Sequence, residues 1–514
     1  MVTLVSETVS GFSATSADTI YIVESNVVVG NTGDAVELNA FEDVVLLVEG
    51  TLASDTGIGV DMNAARNQTI ISASGTIYGA TFGITLGSAD GSVVNNGTIS
   101  SLGEAISVTG VNARVENYGV LTAFGATSFA VDIDSNNVEL TNSGEISGSV
   151  AIRVDGDDTR INNSGVLSAT NYGMDIQGVL AEVYNTGEIL AANQGVSFNV
   201  GIGELVNSGL IQGDIRGVYF GNGSSSETEL TLVNSGEILA LDRAVYAVSG
   251  TLDVSNTGVI SGGNSGVEVD SDTTLNLANS DQITGQDFGA VIGGDEADRV
   301  DNSGSIVGDV TLNSGDNLLI NSGQILGEVT TGAGNDTVLT VGSGVISGPV
   351  ETGAGNDVIT GGAGADVIDG GVDDDFITGG GGVDDLAGGD GIDIVLGGTG
   401  ADTITGGEGF DFLLGEEGAD VFLFTAISDS AAGEADSILD FEQGADIIDL
   451  YSIETSIAFL GTGAFTGSGG AELRTTNVGG VLSIVDFDVN GNGVADMQII
   501  VYGALDMDRG DFGL

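Results

Sequence analysis

Apolar and polar positions alternate along this chain on two periods. From about residue 30 to 350, short alternations such as VEVDS and GVYFG are interleaved with a recurrent phrase, Asn-x-Gly-x-aliphatic. It reads VVNNGTIS, VENYGVLT, LTNSGEIS, INNSGVLS, VYNTGEIL, LVNSGLIQ, LVNSGEIL, VSNTGVIS, VDNSGSIV and LINSGQIL, and most of its glycines, from Gly75 and Gly97 to Gly323 and Gly344, stand 21 to 23 residues apart. Alternation by two, rich in β-branched residues, predicts strands rather than helices. A repeat of this length, with glycine corners and a single proline at Pro349, predicts a solenoid in which each repeat is one coil. The expectation for this stretch is a right-handed parallel β-helix of about thirteen coils. At a strand spacing of ~4.8 Å that is a rod of roughly 60 Å.

Asparagine stands two places before the coil glycine in eleven successive coils, at Asn95, Asn117, Asn142, Asn163, Asn185, Asn207, Asn234, Asn256, Asn279, Asn302 and Asn321. Stacked at one corner, such amides bond up and down a column, which is a structural role.

The second period is tighter. Eight nine-residue units run from Thr352 to Leu423 with glycine at nearly every first, second and fourth position. Aspartate holds the sixth position, at Asp357, Asp366, Asp375, Asp384, Asp393, Asp402, Asp411 and Asp420, and a large apolar residue the eighth, from Ile359 and Ile368 to Leu413 and Phe422. Glycines such as Gly353, Gly355, Gly362, Gly364, Gly398 and Gly400 let a six-residue turn adopt backbone angles closed to other residues and aim carbonyls inward. Those carbonyls and the carboxylate make a hard oxygen cage suited to Ca²⁺. Two units form one turn of a parallel β-roll, so Asp357 stacks with Asp375, Asp393 and Asp411, and Asp366 with Asp384, Asp402 and Asp420. On the order of six ions follows if each gap holds one. The two periods merge upstream: GGDEADRVD places Asp298 at the sixth position, and LNSGDNLLI and TGAGNDTVL place Asn317 and Asp336 there. Such hybrid coils would carry the β-helix into the roll as one solenoid.

Composition sharpens this picture. The 514 residues carry a net charge of −66, and all nine basic residues are arginine. Nucleic acid is therefore not an expected partner, since phosphate neutralisation needs a basic surface, whereas cations are. Cysteine and histidine are absent, which removes disulfides, thiolate chemistry, the usual zinc ligand and the commonest general base. No apolar run is long enough to span a bilayer, and no basic-then-apolar leader opens the chain.

On GGAGADVID and its neighbours the chain resembles the RTX (repeats-in-toxin) family of secreted calcium-binding proteins, with Asp373 and Glu416 standing where that pattern has glycine. From FTAISDSAAGEADSILDFEQGADIIDLYSI to the ending Asp511, Phe512, Gly513 and Leu514, it resembles the C-terminal module of serralysin-type secreted proteins. That resemblance implies a β cap and an uncleaved end read by a type I secretion machine of a Gram-negative bacterium. It does not imply the protease, whose HExxH zinc motif needs histidine. The expected organisation is an N-terminal cap (1–30), the β-helix (31–350, with hybrid coils from about 293), the roll (351–423), and the cap with secretion signal (424–514).

Two further constellations stand out. Asp488, Asn490, Asn492 and Asp496 have the opening spacing of an EF-hand-like calcium loop, although position twelve is Ile499, and the two Asn-Gly steps there also suit a hairpin. Arg216 and Arg243 each lie seven places after a coil glycine, with Tyr219 and Tyr246 three further on and Asp175 and Glu268 in matching slots. Alternation turns these tyrosines outward, as solvated ion pairs or as a glycan-binding strip. The expected function is a secreted, calcium-dependent, cell-surface or extracellular structural or adhesive protein, with no catalytic residues assigned. An acidic-polysaccharide lyase or epimerase, or a self-assembling surface-layer or filament subunit, is the alternative.

Overall fold

The structure is a computed structural model that describes every residue except 1, 6–9, 18, 200–201, 222–228 and 505. It is all-β. Among the described residues the helical segments are two short 3₁₀ turns, Ile427–Ser430 and Arg509–Asp511. The chain forms two compact units, Met1–Asn276 with Asp281–Ala290, and Leu277–Ser280 with Val291–Leu514.

The first unit is a parallel β-solenoid. Its inward residues stack in columns: Val93, Val115, Leu140, Ile161, Val183, Leu205 and Leu232 pair in succession, and all are fully buried. The aliphatic residue of the repeated phrase makes a second column, Ile77, Ile99, Leu121, Ile146, Leu167, Ile189, Ile211, Ile238, Ile260 and Ile283. The phrase glycine is demanded by packing. A side chain at any of the eight from Gly97 to Gly258 would bring its Cβ within 2.0–2.2 Å of the carbonyl oxygen of the glycine one coil below. Residues 1–30, the expected cap, contribute strands with the same pairing: Ile20–Val23 lies parallel to Val45–Val48, and Val28–Asn31 to Thr51–Ser54. Residues 1, 6–9 and 18 of that segment lie outside the described residues.

The predicted amide ladder is present. Each Nδ2 donates to the Oδ1 of the asparagine one coil above, from Asn95 through Asn117, Asn142, Asn163, Asn185, Asn207 and Asn234 to Asn256, at 2.7–2.8 Å. These side chains have no more than 1% exposure, so every rung removes two polar groups from water and pairs them at once.

The second unit has shorter coils and columns of its own. Asn279, Asn302 and Asn321 form rungs at 2.8 and 2.9 Å. Val300, Leu319, Val338, Ile359, Ile377, Val395, Leu413 and Ile438 stack on one side. Val350, Ile368, Leu386, Ile404, Phe422, Ile448 and Phe512 stack on the other. Two nonads therefore make one turn, as the sequence predicts. The C-terminal segment adds an antiparallel meander of Glu472–Val478, Leu482–Asp488 and Met497–Tyr502, and Met497–Tyr502 pairs in parallel with Ser437–Ile438.

Cutting one rung tests the ladder. Asn163→Ala leaves the Asn142 donor and the Asn185 acceptor unpaired in a dry corner. At about 1–3 kcal/mol for each of the two orphaned groups, a loss of roughly 2–6 kcal/mol is expected, read as a lower urea midpoint with the same slope.

Candidate calcium sites

Each nonad aspartate uses its two oxygens differently. In six of the eight, Oδ1 accepts the backbone N–H of the aspartate 18 residues earlier: Asp357 donates to Asp375, Asp375 to Asp393 and Asp393 to Asp411, while Asp366 donates to Asp384, Asp384 to Asp402 and Asp402 to Asp420, all at 2.8–2.9 Å; Asp357 accepts that of Asp336 at 2.7 Å. Oδ2 is left bare. In all eight nonads, and in Asp336 and Asp436, it is buried with no hydrogen-bond partner. A buried carboxylate oxygen that meets no donor is costly unless a cation faces it.

The glycines leave space beside these oxygens. A Cβ on Gly361 would lie 2.6 Å from Asp366 Oδ2 and 2.8 Å from the carbonyl oxygen of Gly379, one turn on. The same convergence recurs at Gly370 (Asp375 Oδ2 2.4 Å, Gly388 O 2.7 Å), Gly379 (Asp384 2.4 Å, Gly397 2.8 Å), Gly388 (Asp393 2.4 Å, Gly406 2.6 Å) and Gly397 (Asp402 2.6 Å, Gly415 2.9 Å). First-position glycine thus keeps open a space faced by a carboxylate and a carbonyl, the hard donor set of calcium. At Gly406 and Gly415 the nearest atoms are the carboxylate oxygens of Asp411 and Asp420, at 2.3 Å. In the first nonad and the preceding hybrid coil, threonine stands at this position, and the Thr352 hydroxyl bonds the Gly370 carbonyl while Thr331 bonds that of Thr352. No three acidic side chains gather into one metal-sized cluster among the described residues, so the carbonyls must supply most of any coordination shell.

Second-position glycines have backbone reasons. Gly353, Gly362 and Gly398 have φ of +100°, +125° and +108°, and at the fourth position Gly355 and Gly400 have +124° and +146°. Asp373 and Glu416, which replace glycine, adopt the same left-handed region at +81° and +62°. Gly364, like Gly391 and Gly418 at the same position, has no such angle, and a Cβ placed on Gly364 would meet nothing within 4 Å.

Electrostatics agree with the geometry. Burial, reinforced by neighbouring carboxylates, pushes Asp366, Asp393 and Asp420 up to about 6 and Asp375 and Asp411 to about 7. Asp357 and Asp384 are raised for the same first cause. Burial likewise pushes Asp336 to about 6.

Two members of the columns are missed by counting nonads. Asp436 Oδ1 accepts the N–H of Asp411 and Asp446 Oδ1 that of Asp420, both at 3.0 Å, so both columns run on into the C-terminal segment. Burial pushes Asp436 to about 9. Its Oδ2 is bare, whereas that of Asp446 accepts the Glu442 N–H at 2.7 Å. A signal is present: Asp436-Ser-Ile438 and Asp446-Ile-Ile448 keep the nonad's aspartate and the apolar residue two places later, without its glycines or its spacing. At the other end, Asp298 Oδ2 accepts the Gly294 N–H, Asn317 Oδ1 the Asp298 N–H, and Asp336 Oδ1 the Asn317 N–H.

The remaining candidates are brought together but differently committed. Asp488 accepts the N–H groups of Asn492 and Gly493, Asp496 those of Val489 and Asn490, and Asn492 that of Val494. These oxygens close the hairpin between Leu482–Asp488 and Met497–Tyr502. Tyr219 and Tyr246 do face outward, between the buried Val218, Phe220, Val245 and Ala247. Arg216 stacks on both rings and Arg243 on Tyr246.

Stacked glycine turns, each presenting one half-satisfied carboxylate, define a cation-binding parallel β-roll. Residues 351–386 match the family model of the RTX calcium-binding nonapeptide repeat, and residues 377–512 that of the peptidase M10 serralysin C terminal. The C-terminal third of the chain therefore carries RTX repeats, which indicate multiple calcium ions, followed by a serralysin-type module. Among curated proteins, the chain is similar to metallopeptidase AprA of Pseudomonas marginalis, 40% identical over 82 residues, and to serralysin A of Dickeya chrysanthemi, 33% identical over 82 residues. Each alignment covers 16% of this chain and spans only 17% of the relative's length. Among solved structures it is similar to the solution structure of the AlgE6R3 subunit of the Azotobacter vinelandii mannuronan C5-epimerase, with 26% identity over 29% of this chain and 78% of that one and a TM-score of 0.14.

The cradle distinguishes one glycine from another. Gly388→Ala would set a methyl among Asp393 Oδ2 and the Gly406 carbonyl and is expected to remove about one ion from the stoichiometry measured by calorimetry, while Gly364→Ala leaves the count unchanged. Protonation supplies a second test. Because these carboxyls are raised above their unfolded values, the calcium-free fold is favoured at low pH and loses stability as pH rises through about 6–7. Protons and calcium compete for the same oxygens, so the calcium midpoint of folding, followed by circular dichroism, is expected to rise as pH is lowered from 8 through 6.

Proposed function

We propose that this chain is a secreted protein whose C-terminal third folds on calcium after export, and whose β-helix then serves as a cell-surface or extracellular structural or adhesive element. The observation that carries this reading is the row of buried, unpartnered Oδ2 atoms. Without a cation the folded roll holds these carboxylates dry and close to one another. In a calcium-poor cytosol the segment is therefore disfavoured as a folded body and suits passage through a type I secretion channel. At near-millimolar extracellular calcium, ion binding becomes folding energy. The segments proposed for these roles are 31–350 for the β-helix, 351–423 for the roll and 424–514 for the cap and export signal.

The five spaces faced by both a carboxylate and a carbonyl, with two more at Asp411 and Asp420, are the proposed ion positions. Asp436 and Asp446 of the cap would complete the last two. The side-chain commitments of the strip speak against the lyase or epimerase alternative. Burial and the Asp270 carboxylate push the Tyr246 phenol up to about 12, too high for a base near neutral pH, and Arg243 is held by Glu268 at 2.7 Å.

The full-length protein, stripped with chelator and then titrated with calcium, is expected to gain β circular dichroism cooperatively and to take up between five and seven ions. Asp393→Ala should lower both the count and the cooperativity. A chelated protein with the complete β spectrum, or uptake unaffected by Asp393→Ala, would sink the proposal.

A further inference from the structure

Seven of the nine arginines pair with a carboxylate: Arg66, Arg114, Arg153, Arg160, Arg243, Arg299 and Arg474. Arg216 has no ion pair among the described residues, in a chain with 75 acidic side chains. Such a charge imbalance makes an unpaired guanidinium in the middle of a sheet face conspicuous. It is not loose. Its Cζ lies 4.7 Å from the centre of the Tyr219 ring and 4.9 Å from that of Tyr246, and the two rings stand 5.9 Å apart. The rings take up the apolar surface of the guanidinium and hold its orientation, while its Nε–H is buried without an acceptor.

One coil below, in the same outward row, stands Gln194. It is 6% exposed, and its Oε1 has no hydrogen-bond partner. An orphaned donor on a cation therefore sits directly above an orphaned neutral acceptor, on adjacent strands about 4.8 Å apart. Each is costly alone. They do not satisfy each other, and together they describe a ligand that carries an anionic group and a hydroxyl a few ångströms apart. Half-buried Tyr172 follows Gln194 in the row and offers a ring to the apolar face of a sugar.

The neighbours limit the ligand further. Arg243 is consumed by Glu268 and Asp242, and the Tyr246 hydroxyl by Asp270. Asp175, Glu268 and Asp270 flank the row and would repel a densely charged polyanion. A single acidic sugar set among neutral ones meets both the demand at Arg216 and this repulsion.

We propose that Arg216 and Gln194 form a binding site for a carboxylated sugar residue of a surface glycan, the guanidinium taking the carboxylate and the Gln194 carbonyl oxygen a ring hydroxyl. This rests on the extracellular role proposed above and names the ligand class for it. The glycan-binding strip thus narrows from four residues to one cation, with Gln194 as a partner that the sequence pattern does not single out. Arg243 and Tyr246 become positioning residues, since they act through the stacked guanidinium.

Calorimetry of the calcium-loaded full-length protein with glucuronate-containing oligosaccharides, and with the same oligosaccharides after reduction of their carboxyls, tests the site. Binding of the acidic form and at least about tenfold weaker binding of the reduced form are expected. Arg216→Gln and Gln194→Leu should each lower affinity about tenfold or more with the calcium-induced β spectrum retained, and Arg216→Lys should recover only part, because the planar fork is lost. Equal binding by Arg216→Gln overturns the inference, since the sugar acid would then be held by calcium in the roll. So does the absence of any binding by a protein that folds normally on calcium, and that result leaves the calcium-folding proposal standing.

Discussion

A carboxylate whose two oxygens have unequal fates governs the second unit. One oxygen is spent on the backbone of the turn before it, which fixes the height of each coil on the next. The other faces a space that glycine keeps empty. The first half of this arrangement is an ordinary hydrogen bond and aligns the stack. The second half makes the stack conditional, because a buried anion without a counter-charge disfavours the fold it helps to align. Alignment of the stack and its cost without a counter-charge thus reside in the same side chain, and the high acidity of the chain is partly a consequence of repeating it.

The two periods solve one problem, stacking coils at a polar corner, with different chemistry. An asparagine amide carries both a donor and an acceptor, so a column of amides satisfies itself from Asn95 to Asn256 with no outside help. An aspartate carries acceptors only. A column of carboxylates can borrow backbone N–H groups for half its oxygens and must find a cation for the rest. Asn317, placed between Asp298 and Asp336, accepts the same backbone bond as the aspartates and adds a neutral amide donor to the Thr331 carbonyl. It shows the two chemistries in a single column.

Much of this is legible in the sequence because the features are periodic. The apolar eighth positions, the asparagine corner and the stacking of Asp357 on Asp375 each follow from counting residues. Legibility fails where period and function part company. Asp436 and Asp446 extend the columns at intervals of 25 and 26 residues instead of 18, and a search tuned to glycine passes over them. Phe512 belongs by resemblance to an export tail, yet it also stacks on Ile448 at the end of a core column. Spacing also says nothing about where an oxygen points. Asp488, Asn490, Asn492 and Asp496 match a calcium loop by count, while their oxygens accept main-chain N–H groups that tighten a hairpin.

Position-specific glycine is the clearest case of a symbol with several meanings. In the first unit, glycine clears a path for the carbonyl of the coil beneath, and any side chain collides. At the second nonad position it supplies a left-handed backbone, and Glu416 shows that a side chain is admitted there at a strain of about 1 kcal/mol. At the first nonad position its backbone angle is ordinary, but its missing Cβ leaves the space beside the carboxylate and the carbonyl open. A consensus weights the three equally. Physically they rank differently: the first is needed for the coil to exist, the second tunes its stability, and the third keeps side-chain atoms away from the bare carboxylate oxygen. Divergence at the third kind, as at Thr331 and Thr352, fills that space with a side chain and leaves the fold alone, since the column of aspartates passes through both positions undisturbed.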